Sequence, residues 1–268
     1  MATIAQLPMP AFDSLAESYD RIFTDSLIGR AQRDAVWREL ENTFLPGHRV
    51  LELNCGTGVD AVYLAQRGVR VDAFDSSPAM IRVAQRRVPP GSLVPARFQV
   101  MATEDLAAVH STYDGAFSNF AGLNCVEDLR AVAHNLGRLV RPLGHLVLCM
   151  ANRFCAWEAC WWLAHGSPSK AFRRLQRGGT RAELAPGAFV RVRYPSLKEL
   201  RGLFEPEFCL VSARGVGLLV PPSYLEPQAR RVPRLLSGAA HLDARLSSLP
   251  VGRLIADHML LKFRRISR

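Results

Sequence analysis

The chain has 268 residues, enough for one large α/β domain or a core with a lid. Hydrophobic residues are 49% and charged residues 22%, ordinary values for a globular protein. The formal charge of +10 is uneven: residues 1–150 carry 14 basic and 16 acidic groups (−2), residues 151–268 carry 20 basic and 8 acidic (+12), so an anionic partner would meet the second half.

The most apolar stretch, "HLVLCMANRFCAWEACWWLA", is broken by Arg153 and Glu158, so no membrane span is expected. The opening "MATIAQLPMPAFDS" has no basic start and no apolar run, so no secretion signal is expected. Cys55, Cys125, Cys149, Cys155, Cys160 and Cys209 make no C-x-x-C pair and no zinc-spaced cluster with histidine. Reduced thiols, no metal and a cytoplasmic location are the expectation.

Residues 12–23 and 27–42 read as helices, the second with Leu27, Ala31, Ala35, Val36 and Leu40 near one face. Pro46-Gly47 turns the chain into a strand at 49–54, followed by a helix at 58–67 and a strand at 70–75. A helix at 78–88 follows, capped by Ser76 or Ser77, then strands at 97–101 and 113–119, a helix at 127–139 and a strand at 144–150. Regular β-α alternation with short apolar strands means a parallel sheet covered on both faces. The rhythm then changes. Residues 152–178 look helical, 196–204 form a helix, 207–214 a strand, and 216–250 are proline-rich with a helix near 229–247. The closing "DHMLLKFRR" is an apolar strand, so the sheet should be finished by an antiparallel pair.

The first strand runs into "NCGTGVDA". Gly56 and Gly58 permit a sharp turn and a close ligand approach, and the following helix offers free N–H groups. Asp75 closes the next strand about 20 residues on, where a carboxylate can take both hydroxyls of a ribose. "GTGVDA" also satisfies the dinucleotide pattern G-x-G-x-x-A, so a nicotinamide oxidoreductase stays open on this motif alone. About 45 mostly helical residues precede the first strand, whereas a dinucleotide domain more often opens with it.

Several motifs occur in one order: "AESYD", "LELNCGTG", "SSPAMIRVAQ" directly after Asp75, "ATEDL", "YDGAFSNFAGLNCVEDL" and "LVRPLGHLVL". Over roughly residues 12–151 the chain resembles the class I S-adenosylmethionine-dependent methyltransferases of small-molecule type. The resemblance implies a Rossmann-like α/β fold: a mostly parallel seven-stranded sheet with an antiparallel last strand and helices on both faces. Residues 1–45 would form an N-terminal helical cap, and residues 46–268 the cofactor-binding domain, with insertions at about 153–193 and 216–250. It implies S-adenosylmethionine as cofactor, S-adenosylhomocysteine as product, and no metal.

By the same resemblance, Glu52, Asn54, Cys55, Gly56 and Gly58 hold the methionine part, Asp75 the ribose, and Ser76 and Met80 flank the adenine. Thr103 and Glu104 lie at the adenine, Asn119 and Phe120 beside the methyl, and Tyr19 closes over the cofactor. Ala102 stands where many relatives have aspartate. "SNFAG" is not the N/D-P-P-Y of amino-methylating DNA enzymes.

For the acceptor, Asn124, Arg153, Trp157, Trp161, Tyr194, Tyr224 and Glu226 are candidate contacts, and His165 and Tyr19 candidate catalytic groups. His145, within a strand, is expected to be structural. Residues 153–193 combine Phe154, Trp157, Trp161 and Trp162 with Lys170, Arg173, Arg174, Arg177, Arg181, Arg191 and Arg193. That suggests an apolar acceptor, aromatic or acyl-like, carrying negative charge, with O- or N-methylation of the secondary-metabolism kind. A second reading of this stretch is peripheral contact with an anionic membrane. The alternatives in other classes are a nucleic-acid methylase, for which no recognition module is visible, and a non-catalytic cofactor-binding protein. Oligomeric state is left open.

Overall fold

The computed structural model describes residues 12–88, 91, 95–185 and 187–267; residues 1–11 of the expected cap lie outside these. The elements in chain order are α1 (Ala16–Tyr19), α2 (Leu27–Glu41), β1 (Arg49–Leu53), α3 (Val59–Ala65), β2 (Arg70–Asp75), α4 (Pro78–Arg86), β3 (Ala96–Val100) and β4 (Tyr113–Ser118). Then come α5 (Leu129–Leu139), β5 (Val140–Ala151), α6 (Ala156–Ala164), α7 (Pro168–Ala171), β6 (Thr180–Ala185), β7 (Ala188–Val192), α8 (Leu197–Phe204) and β8 (Phe208–Val216). α9 (Glu226–Ala229), α10 (Pro233–Leu246), α11 (Gly252–Ile255) and β9 (His258–Arg265) close the described chain.

Seven strands form one sheet in the order β3-β2-β1-β4-β5-β9-β8. β3 to β5 pair in parallel, and β9 pairs antiparallel with both β5 and β8. The two late strands do finish the sheet as an antiparallel pair, with the last strand inserted between β5 and β8 and only it reversed.

Alternation along each strand feeds two cores. From β5, Leu146, Leu148 and Met150 face one way, joining Leu136 of α5 and Phe204 of α8. Val147 and Cys149 face the other way, with Val36 and Leu40 of α2 and Leu64 of α3. The helix α2 thus covers the sheet. Its first turn is capped by Ser26, whose side chain accepts from the Gly29 N–H. The Glu226 carboxylate accepts the next two free donors, Leu27 N–H at 2.9 Å and Ile28 N–H at 3.0 Å.

Two local expectations change. The helix read at 12–23 is a succession of a 3-10 turn (Asp13–Leu15), α1 and a π-turn (Asp20–Thr24), and the segment packs against α4. The helical stretch read at 152–178 is broken into α6, α7 and a 3-10 turn at Arg173–Leu175, and after it β6 and β7 form a separate two-stranded hairpin that the sequence reading did not include.

Candidate active site

The strand order reverses between β1 and β4, the point where open α/β sheets form a ligand crevice beyond their carboxyl ends. A cavity of about 350 Å³ lies there. Tyr19, Asn54, Gly56, Asp75, Ser76, Met80, Thr103, Glu104, Asn119 and Phe120, all expected around a cofactor, line it.

Asn54 adopts φ 55°, a left-handed conformation that asparagine tolerates better than most residues. Its amide donates to Thr103 Oγ1 at 3.1 Å and its oxygen accepts from Ser118 Oγ at 3.2 Å, tying three strand ends together. Phe120 (φ 48°) and Ala121 (φ 66°) are also left-handed, and both line the cavity, so backbone strain concentrates there.

The two glycines do different things. A Cβ on Gly56 would meet nothing within 4 Å, which leaves open space on the cavity side. A Cβ on Gly58 would lie 2.6 Å from the Phe98 ring and 2.7 Å from Ala84 Cβ. Gly58 is therefore needed for helix–sheet packing, and it does not line the cavity.

Asp75 accepts the Gly56 N–H at 2.8 Å and the Ser77 N–H at 2.9 Å, one on each oxygen. Each oxygen keeps a second lone pair. Burial raises the Asp75 pKa, and the two N–H groups oppose that. Ser77, not Ser76, caps α4, and its hydroxyl donates to Asp13. Asp20 accepts from Thr57 Oγ1 at 2.7 Å and also pairs with Arg87. These contacts hold the N-terminal segment, with Phe12 and Tyr19, against the cavity.

Behind the cavity lies a charge cluster that sequence reasoning missed. Arg33 of α2 pairs with Asp60 of α3 at 2.5 Å, and Asp60 also accepts from Trp37 Nε1 at 2.7 Å and Asn119 Nδ2 at 2.9 Å. The Arg33 guanidinium lies 4.7 Å from the centre of the Phe120 ring. Among the described residues, Arg33 Nε, Asn119 Oδ1 and Glu52 Oε2 are buried without a partner. Burial holds Glu52 well above the usual carboxylate range and raises Tyr19 to about 12. Cys55 is likewise buried, and its thiol is pushed up by burial. Glu52, Cys55 and Gly58 thus support the site from behind and do not line it.

The acceptor-side expectations fare differently: none of Asn124, Arg153, Trp157, Trp161, His165, Tyr194 or Tyr224 lines this cavity. Asn124 has its amide occupied by backbone, donating to Ala151 O and Arg193 O and accepting from Ala151 N. Arg153 pairs with Glu199 at 3.4 Å. Trp161 packs with Ile28 and Leu236 and lies tilted against the His165 ring at 4.2 Å between centroids, while the exposed His165 bonds Trp161 O at the end of α6. Tyr194 bonds Thr180, Tyr224 lies against Trp162, and Glu226 caps α2. The physical cause is an anchor on α6. Glu158 is buried and takes Arg173 at 2.5 Å and Arg174 at 2.8 Å, and Arg174 also binds Asp257 at 2.7 Å.

The wall opposite the glycine turn comes instead from Leu184, Val190 and Val192 of the hairpin, with Cys125 and Val126. Val190 and Val192 alternate in "AFVRV", the one sequence signal that pointed to them. The hairpin is fixed at its base by Arg193 N–H on Asn124 O at 2.8 Å. Among the described residues no arginine or lysine lines the cavity, so the anionic-acceptor expectation has no counterpart there. Among the described residues no group of three or more His, Cys, Asp or Glu is placed to hold a metal ion.

Fold and site together define a Rossmann-like protein with an adenosyl-type crevice, and comparison with known proteins sharpens this. A family model described as "Methyltransferase domain" matches residues 50–144. The chain is 33% identical over 170 residues to a ubiquinone biosynthesis O-methyltransferase of Xanthomonas oryzae pv. oryzae, covering 60% of this chain and 69% of that protein. It is 30% identical over 141 residues to a demethylmenaquinone methyltransferase of Clavibacter sepedonicus, covering 52% of this chain and 55% of that protein, so it spans about half of that relative. Among solved structures it resembles the Burkholderia thailandensis 1,6-didemethyltoxoflavin-N1-methyltransferase bound to 1,6-didemethyltoxoflavin and S-adenosylhomocysteine (TM-score 0.54, 17% identity, 96% of this chain and 86% of that one). The chain belongs to the class I S-adenosylmethionine-dependent methyltransferase family.

Proposed function

We propose that the protein binds S-adenosylmethionine in the cavity at the β1/β4 reversal and transfers its methyl group to a small, apolar, aromatic acceptor. The observation that carries this is the pairing of an open Gly56 face with the Asp75 carboxylate, backed by three unpartnered buried polar atoms.

Those atoms fit the group. Asn119 Oδ1, on the lining, is an acceptor suited to an ammonium, while Glu52 Oε2 and Arg33 Nε are an acceptor and a donor in the layer behind it, on the side where the amino-acid end of the cofactor would lie. Asp75 would take the ribose hydroxyls, Ser76 and Met80 would flank the adenine, and Thr103 and Glu104 would meet its edge. Asn54 would shape the turn, with Cys55 and Gly58 packing behind it. When bound, S-adenosylmethionine supplies a sulfonium methyl already activated for in-line displacement. The chain's part is to align the acceptor and exclude water.

Phe12, Phe120, Val126, Leu184, Val190 and Val192 make the outer wall apolar. A flat ring buried among them gains contact area without leaving charges unpaired. The ubiquinone-biosynthesis and demethylmenaquinone names of the two relatives and the 1,6-didemethyltoxoflavin held by the similar structure support a ring acceptor. Among the described residues of the lining, Asp75 and Glu104 are given to the cofactor, and the remaining acidic groups are poor bases at neutral pH, Tyr19 being raised to about 12 and Cys125 to about 11 by burial. The acceptor must then bring its own nucleophile, as an acidic phenol or an unprotonated ring nitrogen does. In this reading residues 1–45 act as a cap on the domain of residues 46–268, and the insertions near 153–193 and 216–250 are additions to it.

Calorimetry tests the cofactor: heat with S-adenosylmethionine and S-adenosylhomocysteine and none with NAD supports the reading, and the reverse overturns it. Turnover of a panel of phenols and ring amines with methyl-labelled cofactor tests the acceptor class.

A further inference from the structure

We infer that the outer face of α10 and α11 is a docking surface for an anionic lipid membrane. Leu235 is 71% exposed, Leu242 49%, Val251 63% and Leu254 52%. At 100° per residue, Leu235 and Leu242 share one flank of α10, beside Arg234 and Arg245 on the outward side.

The charges on this face are not balanced. Between residues 226 and 256 the acids are Glu226 and Asp243. Asp243 is buried and accepts the N–H groups of Leu218, Leu219 and Val220 at 3.1, 2.6 and 3.1 Å. Glu226 caps α2 and pairs with Arg230 at 2.8 Å. Both carboxylates therefore have positions inside the fold, and among the described residues Arg231, Arg234 and Arg245 form no ion pair. The result is leucine beside unbalanced arginine, the arrangement with which a surface helix sits in the headgroup layer of an anionic bilayer.

Two other occupants fit less well. A second copy placed by a twofold on this face would bring arginine against arginine. A nucleic acid would neutralise the arginines but leave the leucines in water. No helix is long and apolar enough to cross a membrane among the described residues, so contact at the surface is the mode considered.

The test uses the full chain in a sedimentation assay at physiological salt, with vesicles of phosphatidylglycerol and phosphatidylcholine and with phosphatidylcholine alone. Binding to the first and not the second is expected. The double change Leu235→Ser, Leu242→Ser should reduce binding about tenfold, and Arg234→Gln, Arg245→Gln should do the same while unfolding temperature and cofactor affinity stay at the parent's values. The proposal is overturned if the parent stays in the supernatant with both vesicles, or if the leucine change leaves binding intact. It is also overturned if the parent sediments as a dimer that Leu235→Ser dissociates. Tight tRNA binding at physiological salt that depends on the arginines and not the leucines would replace it with a nucleic-acid surface.

Discussion

Single side chains in this crevice have been placed where their solitary properties are poor. Glu52 is buried with one oxygen unpartnered and its pKa pushed up by desolvation. An acid whose native pKa is raised lends stability below its unfolded value, about 4.3, and loses it as pH rises through the native value. Glu52→Gln cannot ionise, so it should raise the unfolding temperature of the cofactor-free protein at neutral pH, and the gain should vanish near pH 4. The same change should also weaken S-adenosylmethionine binding, by roughly 1–3 kcal/mol, since the amide cannot take up negative charge in the layer behind the lining when the cofactor's ammonium arrives. Calorimetry and thermal melts across pH separate the two effects; a lower melting temperature at neutral pH would remove the argument. Asp75→Ala should cost binding by a similar ~1–3 kcal/mol, because the ribose hydroxyls lose a charged acceptor. Parent-like affinity in that variant would show the ribose assignment to be wrong. The glycines should separate as well. Gly56 and Gly58 both have positive φ (54° and 76°), so alanine strains the backbone at either; Gly58→Ala also drives a Cβ into Phe98 and Ala84 and should lower stability more, whereas Gly56→Ala adds no clash and should cost less stability while weakening binding.

Among the elements, the β6–β7 hairpin, inside the segment 153–193 expected at the acceptor side, takes at the cavity the place read for α6. Tryptophan-rich α6 is held outward by Glu158, Arg174 and Asp257, while the hairpin supplies Leu184, Val190 and Val192 to the cavity. Val190→Ala together with Val192→Ala should raise the acceptor's KM or lower kcat while cofactor affinity stays unchanged. Trp157→Ala should leave both unchanged. Should the tryptophan change and not the valine change alter acceptor kinetics, the acceptor wall is misassigned. Arg174→Ala leaves two carboxylates facing each other without their shared cation, and should destabilise by about 3–5 kcal/mol in denaturant melts. Replacing the arginine alone, and not the whole cluster, is what makes that cost large.

At the scale of the molecule, charge is distributed by half. Residues 151–268 carry a net +12, and residues 1–150 a net −2. Many of the arginines have structural partners: Arg173, Arg174 and Arg265 each hold a carboxylate. Those left over lie on the surface, not in the crevice. Polymeric nucleic acid should therefore meet only a diffuse basic surface. Its affinity should be weak and should collapse between low and physiological salt. Affinity for tRNA or duplex DNA retained at physiological salt, with methylated nucleotides recovered after digestion, would contradict the small-molecule reading.

The order of strands and helices from β1 to β5, the glycine turn and its partner Asp75 were legible in the sequence, because they rest on local rules. Hydrophobic period, turn chemistry and the spacing from turn to strand end act over a few residues to about twenty. Ten of the cofactor-side residues, most of them carried over from the family resemblance, gather at one cavity. The place of β9 between β5 and β8, the Arg33–Asp60–Asn119 cluster and the inward turn of the β6–β7 hairpin depend on contacts between distant segments. Nothing local distinguishes an arginine that pairs with a buried aspartate from one that faces water, nor a tryptophan that packs on α2 from one that stacks on a ligand. Burial and pairing across the chain decided those, since a charge taken out of water is tolerated only where the fold brings its partner to it.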